Sequence, residues 1–262
     1  MHLSPSSSLR ALFITTALSL GLAAQANPNP QTLLVASDAV RNPGQPFTVN
    51  VQITEFQAGK KVDGASLVTY SRTLTEGAQF ASLVLFAQPA RDAGKLMLKS
   101  GSDLWFFDPS TKASVRLSPQ QRLMGQASNG DVVTVNLARD YKASMAAEET
   151  VQDGERKTRT SYKLAMSAVT EDATYGSIEL WIDTANSQPI KGRFFAGSDR
   201  LLKTVFYRRY EQQMGVQRPT ELVIIDGLNP QSVTLMRLSD YKAKNIPTNW
   251  FQRDYLPRFQ PE

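Results

Sequence analysis

The chain of 262 residues carries 29 Lys and Arg against 24 Asp and Glu, no Cys, and a single His at position 2. Without Cys, and with its one imidazole inside a leader segment described next, the mature chain excludes zinc sites, Ser-His-Asp triads and Cys nucleophiles, so no catalytic residue, no metal ligand and no resident cofactor is expected. The mild basic surplus suits anionic lipid head groups and is too weak to argue for nucleic acid.

The first residues, MHLSPSSSLRALFITTALSLGLAAQANPNP, place Arg10 before an apolar run from Ala11 to Ala24 and the small-x-small triplet Ala24, Gln25, Ala26. This pattern predicts a secretory signal peptide over 1–26. Residues 27–262 are then expected to form one exported, soluble domain, and the missing Cys leaves no lipidated anchor at its start. PQTLLVASDAVRNP predicts a helix stopped by Pro43. PFTVNVQITEF alternates Phe47, Val49, Val51 and Ile53 against Thr48, Asn50, Gln52 and Thr54, the period of a strand with one dry face. ASLVTYSRTL, FASLVLFAQ, GKLMLKSG and DLWFFDP continue as strands.

RLSPQQRLMGQASNGDV, from Arg116 to Val132, breaks this run. Ser118 and Pro119 predict the start of a short helix presenting Leu123 and Met124 and stopped by Gly125, followed by a second apolar piece through Val132, Val133, Val135 and Leu137. Such an insertion lies across the mouth of a curled sheet, either as a moving lid with flexible ends at Gly125 and Gly130 or as a rigid plug. GQASNG lacks the Gly-Lys-Ser/Thr ending of a phosphate loop.

Beyond it, AEETVQDGE gathers Glu148, Glu149, Asp153 and Glu155, read as a solvated hairpin tip rather than a pair of glycosidase acids. TSYKLAMSA sets Leu164 and Met166 on one face, and SIELWID does the same with Ile178, Leu180 and Ile182. IKGRFFAG, LLKTVFYRRY, TELVIIDG and SVTLMRLSDYKA complete the strands. Ser239 and Lys242 have the Ser-x-x-Lys spacing, but on a strand that spacing points them to opposite faces. The tail IPTNWFQRDYLPRF, too short for a core of its own, either covers an edge strand or leaves Trp250, Phe251 and Arg253 exposed as a docking patch. The fold class is therefore mainly β: about ten or eleven antiparallel strands, too wide to lie flat, curl into an incomplete barrel with a lid of short helices over an apolar cavity.

DLWFFDPSTKASVRLSPQQRLMGQASNGDV and LLKTVFYRRYEQQMGVQRPTELVIID resemble the bacterial outer-membrane lipoprotein-sorting proteins, the LolA-like periplasmic carriers. The resemblance implies a periplasmic, non-catalytic carrier of lipid or lipoprotein acyl chains, with an inner-membrane permease and an outer-membrane acceptor as partners. It implies a lid around Leu123, Met124 and Val133, with Arg72, on an early strand, bonding the lid when the cavity is empty. The dry faces expected to line the cavity are Phe47, Val49, Val51, Ile53, Leu83, Leu85, Leu164, Met166, Ile178 and Leu180. Two alternatives stand beside the carrier: an envelope sensor or interaction module whose interior is filled by Phe80, Phe86, Phe106 and Phe194, and a His-free hydrolase.

Overall fold

The computed structural model describes His2 and residues 28–75, 78–171 and 173–261. Apart from His2, the expected leader lies outside the described residues. Asn29 starts the first element: its side-chain oxygen accepts from the Gln31 and Thr32 amides at 2.9 and 3.1 Å, and Pro30 takes the first helical position, where an amide is not needed. This helix, α1 (Pro30–Arg41), ends just ahead of Asn42 and Pro43. Strands β1 (Phe47–Gln57), β2 (Lys60–Thr73), β3 (Phe80–Gln88), β4 (Leu96–Ser100), β5 (Asp103–Asp108) and β6 (Ala113–Arg116) follow. A crossing segment then holds β7 (Arg122–Met124), β8 (Ala127–Ser128), a 3-10 turn (Asn129–Asp131) and the single turn α2 (Leu137–Asp140). Strands β9 (Tyr141–Gln152), β10 (Thr158–Ala168), β11 (Ser177–Asp183), β12 (Pro189–Phe195), β13 (Leu201–Gln213), β14 (Val216–Asp226) and β15 (Ser232–Ala243) complete the chain, with two 3-10 turns at Thr248–Phe251 and Arg253–Arg258.

Thirteen strands make one antiparallel sheet in the order β6-β5-β4-β3-β2-β1-β15-β14-β13-β12-β11-β10-β9. Each half is a run of neighbouring hairpins, and the first and last strands meet in the middle, β1 pairing with β2 on one side and β15 on the other. The outermost strands, β6 and β9, do not pair with each other, so the barrel is incomplete. These same two edges are the strands that the sequence pattern did not announce. Little apolar surface is buried along them: β6 is almost wholly exposed, and β9 alternates half-buried with exposed positions after Tyr141. Glu148 and Glu149 thus lie within an edge strand rather than at a hairpin tip. Asp153 and Glu155 do flank the turn, where the Asp153 carboxylate accepts from the Glu155 and Lys157 amides at 2.8 and 2.9 Å.

The crossing segment keeps two short helical turns, at Asn129–Asp131 and Leu137–Asp140, but the helix expected from Pro119 to Met124 is not one of them. Pro119 opens a turn closed by the Gln121 amide on the Ser118 carbonyl at 3.1 Å, after which β7 and β8 form a small hairpin around Gly125. Both glycines serve close approach, and Gly125 also serves backbone freedom. Gly125 has φ +53, and a Cβ there would stand 2.3 Å from the Thr234 hydroxyl; on Gly130 it would stand 2.2 Å from that of Thr174.

Strands β2 to β5 are buried on both faces. Leu67, Val84, Phe86, Met97 and Leu104 join the inner core, whereas Tyr70, Leu83, Leu96, Leu98 and Phe107 join a second cluster completed by Ile246, Trp250, Phe251 and Leu256 from the tail. The tail therefore covers a sheet face rather than an edge. Trp250 and Phe251 are 4 % and 3 % exposed, so they do not form an open docking patch.

Candidate functional site

Residues 117–140 join one edge of the sheet to the other and run over its inner face. An irregular segment in that position carries amides and carbonyls that no ladder satisfies. Side chains of the sheet and α1 satisfy them instead. Thr69 Oγ1 donates to the Val132 carbonyl at 3.2 Å, the Ser82 hydroxyl accepts from the Thr134 amide at 3.0 Å, and the Ser71 and Thr134 hydroxyls lie 2.7 Å apart. Asn42 donates to the Val135 carbonyl at 2.9 Å, Asp38 accepts from the Ala138 amide at 2.8 Å, and Gln79 accepts from the Asn136 amide at 2.8 Å.

The deepest attachment is ionic. Lys203, on the inner face of β13 and 3 % exposed, pairs with the Asp131 carboxylate and donates to the Gln126 carbonyl at 3.2 Å. Asp131 also accepts from the Tyr175 hydroxyl and from the Ser128 amide, each at 2.7 Å. Burial lowers the Lys203 pKa against the opposing pull of Asp131. Burial likewise holds the Tyr175 phenol well above its ordinary range. The lysine is thus a charge kept in a dry interior by one carboxylate, which belongs to the crossing segment.

Between this segment and strands β1, β13, β14 and β15 lies a cavity of about 150 Å³. Val205, Leu222, Ile224, Met236 and Leu238 form its sheet wall together with Phe47, Val49 and Val51, and Gly130 to Val135 form its opposite wall. Of the expected lining residues, then, Phe47, Val49 and Val51 reach the cavity, as does Val133. Ile53, Leu164, Met166, Ile178 and Leu180 lie in the same inner core without reaching it. Leu83 and Leu85 are on the other side of the sheet, packed in or against the outer cluster under the tail. Leu123 and Met124 line a separate hollow with Ala65, Phe86 and Phe106. Arg72 does not reach the crossing segment: its Nη1 donates to the Ile246 carbonyl at 2.7 Å and fastens the tail.

The sequence reading passed over the wall from β13, β14 and β15, although these strands carry the same alternation. It also passed over Thr69, Ser71 and Ser82, polar positions on a dry face. Lys203 and Asp131 are separated by so many residues that no local pattern joins them. Ser239 and Lys242 are exposed, and the Ser239 hydroxyl bonds Asp240.

The fold has close relatives among solved structures. A LolA superfamily protein from Nitrosomonas europaea is 32% identical and superposes with a TM-score of 0.77 over 86% of this chain and 98% of its own. A DUF1329 family protein from Desulfovibrio piger, 22% identical, gives 0.72 over 86% and 97%. A protein domain from Vibrio parahaemolyticus described as outer membrane lipoprotein-sorting, 18% identical, gives 0.73 over 87% and 98%. The last two show the shared fold alone. A family described as "Uncharacterized protein" matches residues 79–258, and no curated protein matches the chain. At this identity and coverage, with the open sheet and the segment crossing its inner face, the chain belongs to the LolA superfamily.

Proposed function

We propose that the protein is a periplasmic, non-catalytic carrier that holds the acyl chain of a lipid or lipoprotein on the inner face of its sheet, beneath residues 117–140. The observation that carries this reading is the composition of the cavity: one wall is sheet, and the other is a segment without regular structure over Val132 to Asn136, hung from polar side chains. Membership of the LolA superfamily supports it, as does the family resemblance to lipoprotein-sorting proteins. Size decides what must move. A dry cavity of about 150 Å³ takes a benzene-sized molecule, so a long acyl chain enters only when the crossing segment swings off the sheet. Each methylene then buried contributes about 0.8 kcal/mol, set against the polar bonds the segment gives up.

An interaction module is the second reading. It is favoured by the aromatic filling of the interior, where Phe80, Phe86 and Phe194 are buried and Phe86 and Phe106 meet edge to face at 5.9 Å. A disulfide lock separates the two. The chain has no Cys, so Ser71→Cys with Thr134→Cys introduces a single pair where the two hydroxyls now lie 2.7 Å apart. The expected result is uptake of a fluorescent fatty acid by the reduced variant and by wild type, and none by the oxidised variant. Uptake unaffected by oxidation would remove the moving segment, and no uptake by wild type would remove the carrier.

A further inference from the structure

Hydrogen-bond donors line the cavity, and one of them has no acceptor. Arg41, the last residue of α1, lines it. Its Nη2 donates to Asp38 and, at 3.0 Å, to the Val135 carbonyl, but its Nε is buried with no partner among the described residues. Tyr207 from β13 and Tyr241 from β15 line the same cavity, the Tyr241 ring stacked on Phe47 at 6.0 Å. Burial pushes both phenols up to about 12; Arg41 pulls each the other way, while Asp131 and Asp38 add to the rise at Tyr207, so both are neutral O–H donors at neutral pH.

The charges nearby set the sign of what fits. Asp38 is paired with Arg41, and Asp131 with Lys203. Asp140 also lines the cavity. The charged groups acting on Tyr241 are both cationic, Arg218 and Arg41. Arg218 is itself buried, with Nη1 on the Ala39 and Val40 carbonyls at 2.9 and 2.8 Å and Nε on the Gln213 carbonyl at 3.2 Å. Its bonds are all to carbonyls, so its charge stands without a carboxylate among these partners. An acceptor-only group with several oxygens and a negative charge is what such an end lacks.

The geometry points to an anionic head, a carboxylate or a phosphate, seated here at the end of an aliphatic ligand, with Arg41 Nε and the Tyr207 and Tyr241 hydroxyls donating to its oxygens. This assignment rests on the carrier reading and adds to it the chemistry of the cargo's polar end. It also gives the Val135 bond a consequence: an oxyanion at Arg41 competes for the guanidinium that holds the crossing segment, so arrival of the head loosens the closure over the chain.

The test compares hexadecanoate, hexadecyl phosphate and methyl hexadecanoate, three ligands with the same tail. Wild type is expected to bind one or both anions at least about tenfold tighter than the ester, the scale of a charge-assisted hydrogen bond. Which anion is preferred distinguishes a carboxylate from a phosphate head. Tyr207→Phe with Tyr241→Phe, which keeps both rings, is expected to lose the preference, weakening the anions at least about tenfold more than the ester. Equal binding of anion and ester by wild type overturns the head-group assignment and leaves the carrier standing, a result that needs no variant to fold. A preference retained by a folded double variant also overturns it. If wild type binds none of the three, both the assignment and the carrier fall.

Discussion

Strands β2 to β5 and strands β10 to β15 belong to one sheet, and both present their inner faces to the same core, yet their outer faces meet water in different ways. On the first group the outer face is apolar, and the chain covers it with its own tail. Trp250 packs edge to face on Tyr70 at 5.4 Å and on Phe259 at 4.8 Å, and Arg253 lies over Trp105 at 4.0 Å. On the outer face of the second group the side chains themselves make the covering. Glu221 is fully buried beneath Arg208, Arg209 and Arg237, the last two at 3.2 and 2.9 Å. Trp181 lies between Lys163 and Lys191, each 4.9 Å from its ring, and donates to Glu149 at 2.6 Å. An apolar face needs another layer of chain, whereas a face of long cations over acids and aromatics is its own layer, the methylene stems shielding what lies beneath and the charged ends staying wet.

The contrast breaks most completely at the tail. Deleting the chain from Asn245 onward uncovers Tyr70, Leu83, Leu96, Leu98 and Phe107 together, and the expected outcome is an aggregating protein without a cooperative melting transition, checked by calorimetry and light scattering. Trp250→Ala removes one member of the layer and is expected to lower stability by about 3–5 kcal/mol in urea unfolding. A loss below about 1 kcal/mol would mean that the face tolerates water.

On the other group the effects are smaller and depend on pH. Burial works against the Glu221 charge, but hydrogen bonds from Arg237 and Arg208 and the charges of Arg208 and Arg209 outweigh it, so its pKa lies below the ordinary value of 4.5. A depressed carboxylate contributes stability that is complete above the unfolded value and is lost as pH falls through the folded one. Glu221→Gln is therefore expected to cost about 1–3 kcal/mol at neutral pH and less under acid, so that the wild-type and variant curves converge below the ordinary glutamate range. Curves that stay parallel would assign the loss to packing. The smallest effect belongs to the half-exposed pairs. A double-mutant cycle on Lys163 and Glu179, 2.7 Å apart, is expected to give less than about 1 kcal/mol.

The same contrast explains what was legible in the sequence. Phe47, Val49, Val51 and Ile53 alternate with polar residues, and that alternation placed them on the inner face correctly. FASLVLFAQ has no polar face to mark its outside, because both sides are buried, so Leu83 and Leu85 were assigned to the wrong layer. The tail held the missing information: five aromatic and apolar side chains that cannot form a core must cover something, and β3 and β4 offer an apolar outer face. The edges β6 and β9 carried almost no pattern, since a strand with little burial has little to encode. In the crossing segment the reading found the position but not the form. Its shape is set by Thr69, Ser71, Ser82 and Lys203, whose bonds bridge distant parts of the chain.

The seam between β1 and β15 has a consequence for how the molecule is made. Phe47 pairs in register with Ala243, so the middle of the sheet joins nearly the two ends of the folded chain, while every other pairing in it links consecutive strands of one half. Contacts so far apart in sequence form late, after the loop between them has been ordered. The cavity straddles that seam, taking Phe47, Val49 and Val51 from one side and Met236 and Leu238 from the other. A chain that has not yet added β15 therefore lacks the wall that Met236 and Leu238 supply, and the cavity is completed only with the last strand.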